Sequence, residues 1–195
     1  MTSTVRFSPS RASASLLLAL FGAGLLVSLP AAARTTDRDQ VANVTSKSFD
    51  GSQQPNGLQI FTTNVVMTQG TLKITGSKAT VYTDADNSIT RVVVEGNPAT
   101  IHQLDDFCQP MDGHANKIDY LSTQDTAILT GNASVKQAGK GDAAGEKLTY
   151  NTANSTMKGE SSEGGQVAMN FQPKPKTGTP PAKPAAAPAT CPNGS

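Results

Sequence analysis

The sequence predicts an all-β domain, and three observations carry that prediction. Between residues 34 and 172 no window of a dozen residues holds apolar side chains at i, i+3, i+4 and i+7 unbroken by β-branched or turn residues, so the amphipathic-helix signature is missing. Period-two alternation is frequent instead, in Leu58-Gln59-Ile60-Phe61-Thr62, Val65-Val66-Met67-Thr68-Gln69, Thr71-Leu72-Lys73-Ile74-Thr75, Ala79-Thr80-Val81-Tyr82 and Ile89-Thr90-Arg91-Val92-Val93-Val94. Such Thr- and Val-rich runs suit a pleated, half-buried surface. The third observation is an internal repeat. Residues 61–69 line up with 94–103 and 129–137, their Asn64, Asn97 and Asn132 lying 33 and 35 residues apart, and a second unit interleaves with the first at 76–82, 115–120 and 145–150. Three copies of a two-part β unit cannot bury their apolar faces singly, so they must stack into one elongated core.

In chain order, residues 1–33 come first. Arg6 and Arg11 precede an apolar run of 14 residues, 16–29, and then Ala31-Ala32-Ala33. That is the order of a secretory signal peptide, too short to span a bilayer of about 30 Å. No Cys follows the small residues to accept lipid, so the mature chain is expected to be soluble and to start near Arg34. A first edge strand is expected over about 41–49, containing Val41, Val44 and Phe49, with Lys47 as its single cation and no Pro. The alternating runs follow, with Asp86-Asn87, Glu95-Gly96-Asn97, Thr130-Gly131-Asn132 and Lys140-Gly141-Asp142 supplying turn or bulge chemistry. A last edge strand is expected over about 166–171, with Val167, Met169 and Phe171. Residues 173–195 then hold seven of the twelve prolines, three lysines, no acid and no aromatic residue. Such a segment has little to bury, and a partly polyproline-II tail is expected.

Charge and composition narrow the function. Residues 34–172 carry 11 basic and 15 acidic side chains, a net charge of −4, and the chain has no Trp. A nucleic-acid binder needs a basic face to displace counterions, so that class is excluded. Cys108 and Cys191 make no disulfide framework, although one pair in an exported chain can oxidise. His102 and His114, with Cys108 and Asp112 near in sequence, give no closed set of the three or four ligands that zinc needs, and read as surface or turn histidines. There is no nucleophile elbow and no phosphate loop, and Asp105-Asp106 read as a solvated loop rather than an acid/base pair. No catalytic residue, metal site or cofactor is expected.

Alternation assigns faces. Val65, Met67, Leu72, Ile74, Ala79, Val81, Ala99, Ile101, Ile118, Tyr120, Ala133, Val135, Leu148 and Tyr150 point one way, and Thr68, Lys73, Thr80, His102, Asp119, Lys136 and Thr149 the other. The first set lines a β-sandwich, a jelly roll or an open trough, and the interior is expected to be thin. Alternation alone does not separate a closed core from a groove, and closed cores are the commoner use of such strands.

Particular strings add a resemblance. Asn64-Val65-Val66-Met67-Thr68-Gln69-Gly70-Thr71-Leu72-Lys73-Ile74, Gly96-Asn97-Pro98-Ala99-Thr100, Gly113-His114-Ala115 and Leu129-Thr130-Gly131-Asn132-Ala133 closely resemble the LptA family. These are periplasmic lipopolysaccharide transport proteins with the OstA-like fold, and the resemblance covers about residues 37–170. It implies a slightly twisted antiparallel β-jelly roll, open at both ends, that takes lipid A acyl chains. The residues placed against the lipid are Val44, Phe61, Met67, Ile74, Val81, Ile101, Ile118, Tyr120, Val135, Leu148 and Tyr150, with Ala79, Ala99 and Ala133 leaving volume. It further implies a periplasmic bridge from the inner to the outer membrane. There, edge strands at Val41, Val44 and Phe49, and at Val167, Met169 and Phe171, join copies end to end. The same edges join an inner-membrane-anchored partner and an outer-membrane β-barrel translocon. A repeat without capping helices leaves such edges unpaired, and two unlike edges make an open, directional contact. The family often has Gly where Thr63 stands, and an acidic residue where Lys78, Lys117 and Lys147 stand. These are turn and outer-face positions. The second function class is a structural periplasmic adaptor that holds no lipid.

Overall fold

A computed structural model of the chain describes residues 37–162, 164–173 and Cys191. The expected signal segment 1–33, the expected new N-terminus near Arg34 and nearly all of the 173–195 tail lie outside the described residues. Among the described residues there are ten strands: β1 (Ala42–Thr45), β2 (Ser48–Gly51), β3 (Leu58–Gln69), β4 (Leu72–Thr83), β5 (Ile89–Leu104), β6 (Pro110–Leu121), β7 (Thr126–Gln137), β8 (Gly141–Asn151), β9 (Met157–Glu160) and β10 (Ala168–Phe171). The only helical pieces among them are two short 3-10 turns, Asp37–Asp39 and Ser122–Gln124. β3 to β8 form an antiparallel meander; β1 and β2 both pair with β3, and β9 and β10 both pair with β8.

β3, β5 and β7 are bent at the repeat's Asn64, Asn97 and Asn132, and β4, β6 and β8 bend beside them. Register shifts fall at Thr62/Val65, Thr75/Lys78, Glu95/Ala99, His114/Lys117 and Thr130/Ala133. Thr63 and Asn64 have φ of 67° and 55°, and Gly131 and Asn132 have 79° and 50°. Left-handed residues of this kind make an extra-residue bulge that kinks a strand. The runs 58–62 and 65–69, expected as separate strands, are therefore the two halves of β3. Likewise Glu95-Gly96-Asn97 and Thr130-Gly131-Asn132 bend β5 and β7 from within.

Because the bends stand side by side across the sheet, they fold it into two layers. The first layer runs β1, then alternate halves of β3 to β8, then β10; the second runs β2, the other halves, then β9. One contact measures the fold: Tyr150 pairs with Ala127, ten residues before Gln137 on β7, a separation of about 33 Å in a straight strand. Gln137 Nε2 nevertheless donates to Tyr150 Oη at 3.3 Å.

The edges differ from expectation in a way this folding explains. A single strand over 41–49 cannot follow both halves of a bent β3, so it divides at Ser46 and Lys47 into β1 and β2. At the other end the expected strand over 166–171 is β10, and it serves only the first layer. The second layer is completed by β9, a strand the alternation did not signal.

All fourteen residues expected inward are buried in one apolar cluster, joined by Val92, Val94, Met111, Ala115, Ala127, Leu129 and Ala143. Gly113 shows how closely the layers meet. A Cβ there would stand 2.9 Å from Ile101 Cγ2 and 3.1 Å from Leu129 Cδ2, so the Leu129 side chain from the opposite layer occupies that space. On the outer face Asp119 is covered by Arg91, whose Nε donates to its carboxylate at 2.7 Å.

Candidate functional site

Cross-strand register arranges the lining residues into transverse rows. In the first layer Val44, Met67, Ile74, Ile101, Gly113, Val135, Ala143 and Met169 are successive partners on β1, β3, β4, β5, β6, β7, β8 and β10. In the second layer the corresponding row is Phe49, Phe61, Ala79, Val94, Ile118, Leu129, Leu148 and Gly159. An adjacent row carries Val81, Tyr120 and Tyr150. Met67, Ile74, Val81, Ile101, Ile118, Tyr120, Val135, Leu148 and Tyr150 are buried, while Val44 and Phe61 are half-buried against them. The interior is filled by these side chains. Ala79, Ala99 and Ala133 are buried in the same cluster.

Both rows run out to the edges of the sheet, where large apolar side chains are exposed. Val41 and Phe49 stand at the β1/β2 end, Phe49 against Phe61 with ring centroids 5.0 Å apart. Val167, Met169 and Phe171 stand at the β10 end, Phe171 being 75% exposed. Val167 leans over the C-terminal mouth: a Cβ on Gly159 would lie 2.6 Å from its Cγ1 and one on Gly145 would lie 3.3 Å from its Cγ2.

The two layers meet along a seam where hairpin turns of both face each other. Three glutamines line it from the first layer, Gln69, Gln103 and Gln137, each 8–9% exposed. They close the three copies of the first repeat unit at a common position, 34 residues apart, where alternation calls for an apolar side chain. Their identical placement was the signal available in the sequence. A cavity of about 360 Å³ lies at this seam, lined by Asp37, Arg38, Gln103, Tyr120, Asp125 and Lys140 among others. Burial, seconded by the nearby carboxylates of Asp125 and Asp37, pushes the Tyr120 phenol up to about 12. Burial likewise raises that of Tyr150.

Elsewhere, polar groups are used structurally. His102 Nδ1 lies 2.7 Å from Asp112 Oδ1 across the outer faces of β5 and β6, and His114 is exposed. Asp105, expected in a solvated loop, is instead folded into its own turn, because its carboxylate accepts from the Phe107 and Gln109 amides at 2.9 Å each. Cys108, in that turn, is bonded to Cys191, with Cα atoms 5.3 Å apart. Among the described residues no group of three His, Cys, Asp or Glu is placed to hold a metal, and no helix is long and apolar enough to cross a membrane.

A bent two-layer β-roll with apolar rows running out to unpaired edges defines an OstA-like β-jelly roll. The model of the family of LptA and LptD N-terminal-domain LPS transport proteins matches residues 43–156, and the chain belongs to that family. It is 35% identical to the lipopolysaccharide export system protein LptA of Escherichia coli (strain K12), over 82% of this chain and 85% of that protein. To the LptA of Haemophilus influenzae it is 33% identical, over 69% of this chain and 78% of that protein. The crystal structure of LptH from Pseudomonas aeruginosa, the LptA homologous periplasmic component of a lipopolysaccharide transport device, superposes with a TM-score of 0.65. It does so at 26% identity, covering 71% of this chain and all of that one.

Proposed function

We propose that the protein is a periplasmic, non-enzymatic carrier of lipopolysaccharide, forming part of a bridge from the inner to the outer membrane. The observation that carries this reading is the pair of edge-to-edge apolar rows, because a lining that reaches both edges of the sheet can continue into a neighbouring molecule. The chain's relatives are named as lipopolysaccharide export proteins, which supplies the cargo. Acyl chains lie against Met67, Ile74, Val81, Ile101, Ile118, Tyr120, Val135, Leu148 and Tyr150, entering between the layers, with Val44 and Phe61 at the mouth. Each methylene so covered contributes about 0.8 kcal/mol. With no charged side chain among those residues there is no strong anchor for a head group, which suits onward release. Lipopolysaccharide, an inner-membrane-anchored partner, an outer-membrane β-barrel translocon and further copies of the chain are the partners.

The experiment is photocrosslinking in cells from Ile74, Ile101, Ile118 and Val135, with outer-face Thr80 as the control. Labelling of lipopolysaccharide from the four interior positions alone is expected. Labelling from Thr80 alone, or from none of the five, leaves the adaptor reading in its place.

A further inference from the structure

The N-terminal segment lies across the seam, and its bonds reach both layers. On the first layer the Asp37 carboxylate accepts three hydrogen bonds, from the Thr71 amide and the Thr71 hydroxyl at 2.8 Å each and from Gln103 Nε2 at 2.7 Å. Gln69 Nε2 donates to the carbonyls of Arg38 and Gln40 at 3.0 and 3.1 Å, holding the backbone of the segment as well. On the second layer Arg38 Nη1 donates to Asp125 Oδ2 in the β6–β7 turn, at 3.2 Å. The β3–β4 turn is shaped to receive Asp37. Gly70 has φ of +60°, and a Cβ on it would stand 2.3 Å from Asp37 Oδ1.

The third repeat gives the comparison. There Gln137 reaches the opposite layer directly, through Tyr150. In the first two repeats the equivalent glutamines end on residues 37–40, and Arg38 carries the link onward to the second layer at Asp125. No residue of Asp37–Asp39 is buried. The segment is thus held by polar bonds at a half-exposed rim, while the layers beneath are held by the apolar cluster. Regions with few buried apolar contacts open at the least cost.

We propose that residues 37–40 are a latch that holds the seam shut over the first two repeats, and that its release parts the layers sideways to admit acyl chains. The proposal rests on the carrier reading, and it answers a difficulty in that reading: the interior is already full, so the layers must separate before lipid enters.

The test uses the full mature chain, with Asp37→Asn, Arg38→Glu, Asp125→Arg and the exchanged pair Arg38→Glu/Asp125→Arg. Amide hydrogen exchange is followed at Thr71, which donates to Asp37, and at Leu104, which donates to Thr71 Oγ1. Asp37→Asn is expected to speed exchange at Thr71 about tenfold, the worth of a charge-assisted bond. Either single charge reversal should speed it roughly threefold, with the exchanged pair restoring the parent rate. The second readout is the rate at which a photocrosslinker at Ile118 labels rough lipopolysaccharide dispersed without detergent. That rate should rise and return in step with exchange. Unchanged exchange in variants with the parent urea midpoint overturns the latch, and so does faster exchange with an unchanged labelling rate. If even the parent takes no lipid, the carrier reading fails, and the latch is then judged on exchange alone.

Discussion

Thr63 and Gly131 occupy the same point of the repeat and the same left-handed backbone, with φ of 67° and 79°. Each precedes a bulge Asn that is itself left-handed. Glycine adopts this conformation without steric cost, whereas a β-branched threonine is an outlier there. Thr63→Gly should therefore stabilise the domain by about 0.5–1 kcal/mol, after the entropy that glycine loses on folding. A rise in the urea midpoint with an unchanged slope is the expected result.

The contact of Leu129 with Gly113 ties the two layers together. Leu129→Ala should cost about 3 kcal/mol, the usual loss for a fully buried leucine. Gly113→Ala should destabilise as well, by forcing a methyl group against Ile101 and Leu129. Combined, the two changes should cost less than their sum, because the truncated leucine makes room for the methyl. A double-mutant cycle by urea denaturation measures that coupling, and strict additivity would show that the layers do not press on each other here.

Edge pairing can be blocked without touching the interior. Lys47 N donates to Thr63 O and Gln172 N to Lys140 O, so alternation turns the Asp50 and Met169 amides away from the sheet. Proline at either position removes an outward donor and spares the inward ladder. The parent is expected to form concentration-dependent oligomers in light scattering, and Asp50→Pro and Met169→Pro should each leave folded monomers. Parent-like oligomers in both variants would rule out these edges as the joint.

Tyr120 predicts a pH dependence. Burial favours its neutral form, so below pH 10 both folded and unfolded chains hold the proton and its stabilisation is complete. Between pH 10 and about 12 the unfolded phenol ionises while the folded one does not. Stability is lost as pH rises through that window, by on the order of 2–3 kcal/mol. Ultraviolet titration should show late phenolate ionisation that shrinks in Tyr120→Phe, with the raised Tyr150 phenol remaining, and that variant should lose less stability between pH 10 and 12.

The Cys108–Cys191 bond predicts that denatured, unreduced protein has no free thiol and gains two on reduction. Two free thiols before reduction would refute it.

Much of this architecture was legible because period two ties each side chain to a face. Every residue from Val65 to Tyr150 placed inward by alternation is buried. Local sequence does not tell a bulge from a turn, since Asn64 and Asn132 suit either, so halves of β3 looked like separate strands. β9 has four residues, one of them Gly159, and its pairing with β8 comes from the bend rather than from a pattern of its own. The seam was hidden for a different reason. Asp37 meets Gln103, and Arg38 meets Asp125, through contacts 66 and 87 residues apart in sequence. No window along the chain contains both partners.

Those two separations also set an order of events as the chain folds. Each long strand pairs with the one synthesised just before it, so the meander can grow as a zipper from its N-terminal end, without waiting for distant partners. The segment at residues 37–40 precedes every strand, yet Asp125, to which Arg38 donates, arrives only with the β6–β7 turn. A half-made roll is consequently a gaping one, its apolar rows uncovered along one side. A chain that folds from its N-terminal end therefore closes last along this seam, and passes on its way to the native state through the parted form that the loading of lipid would later require.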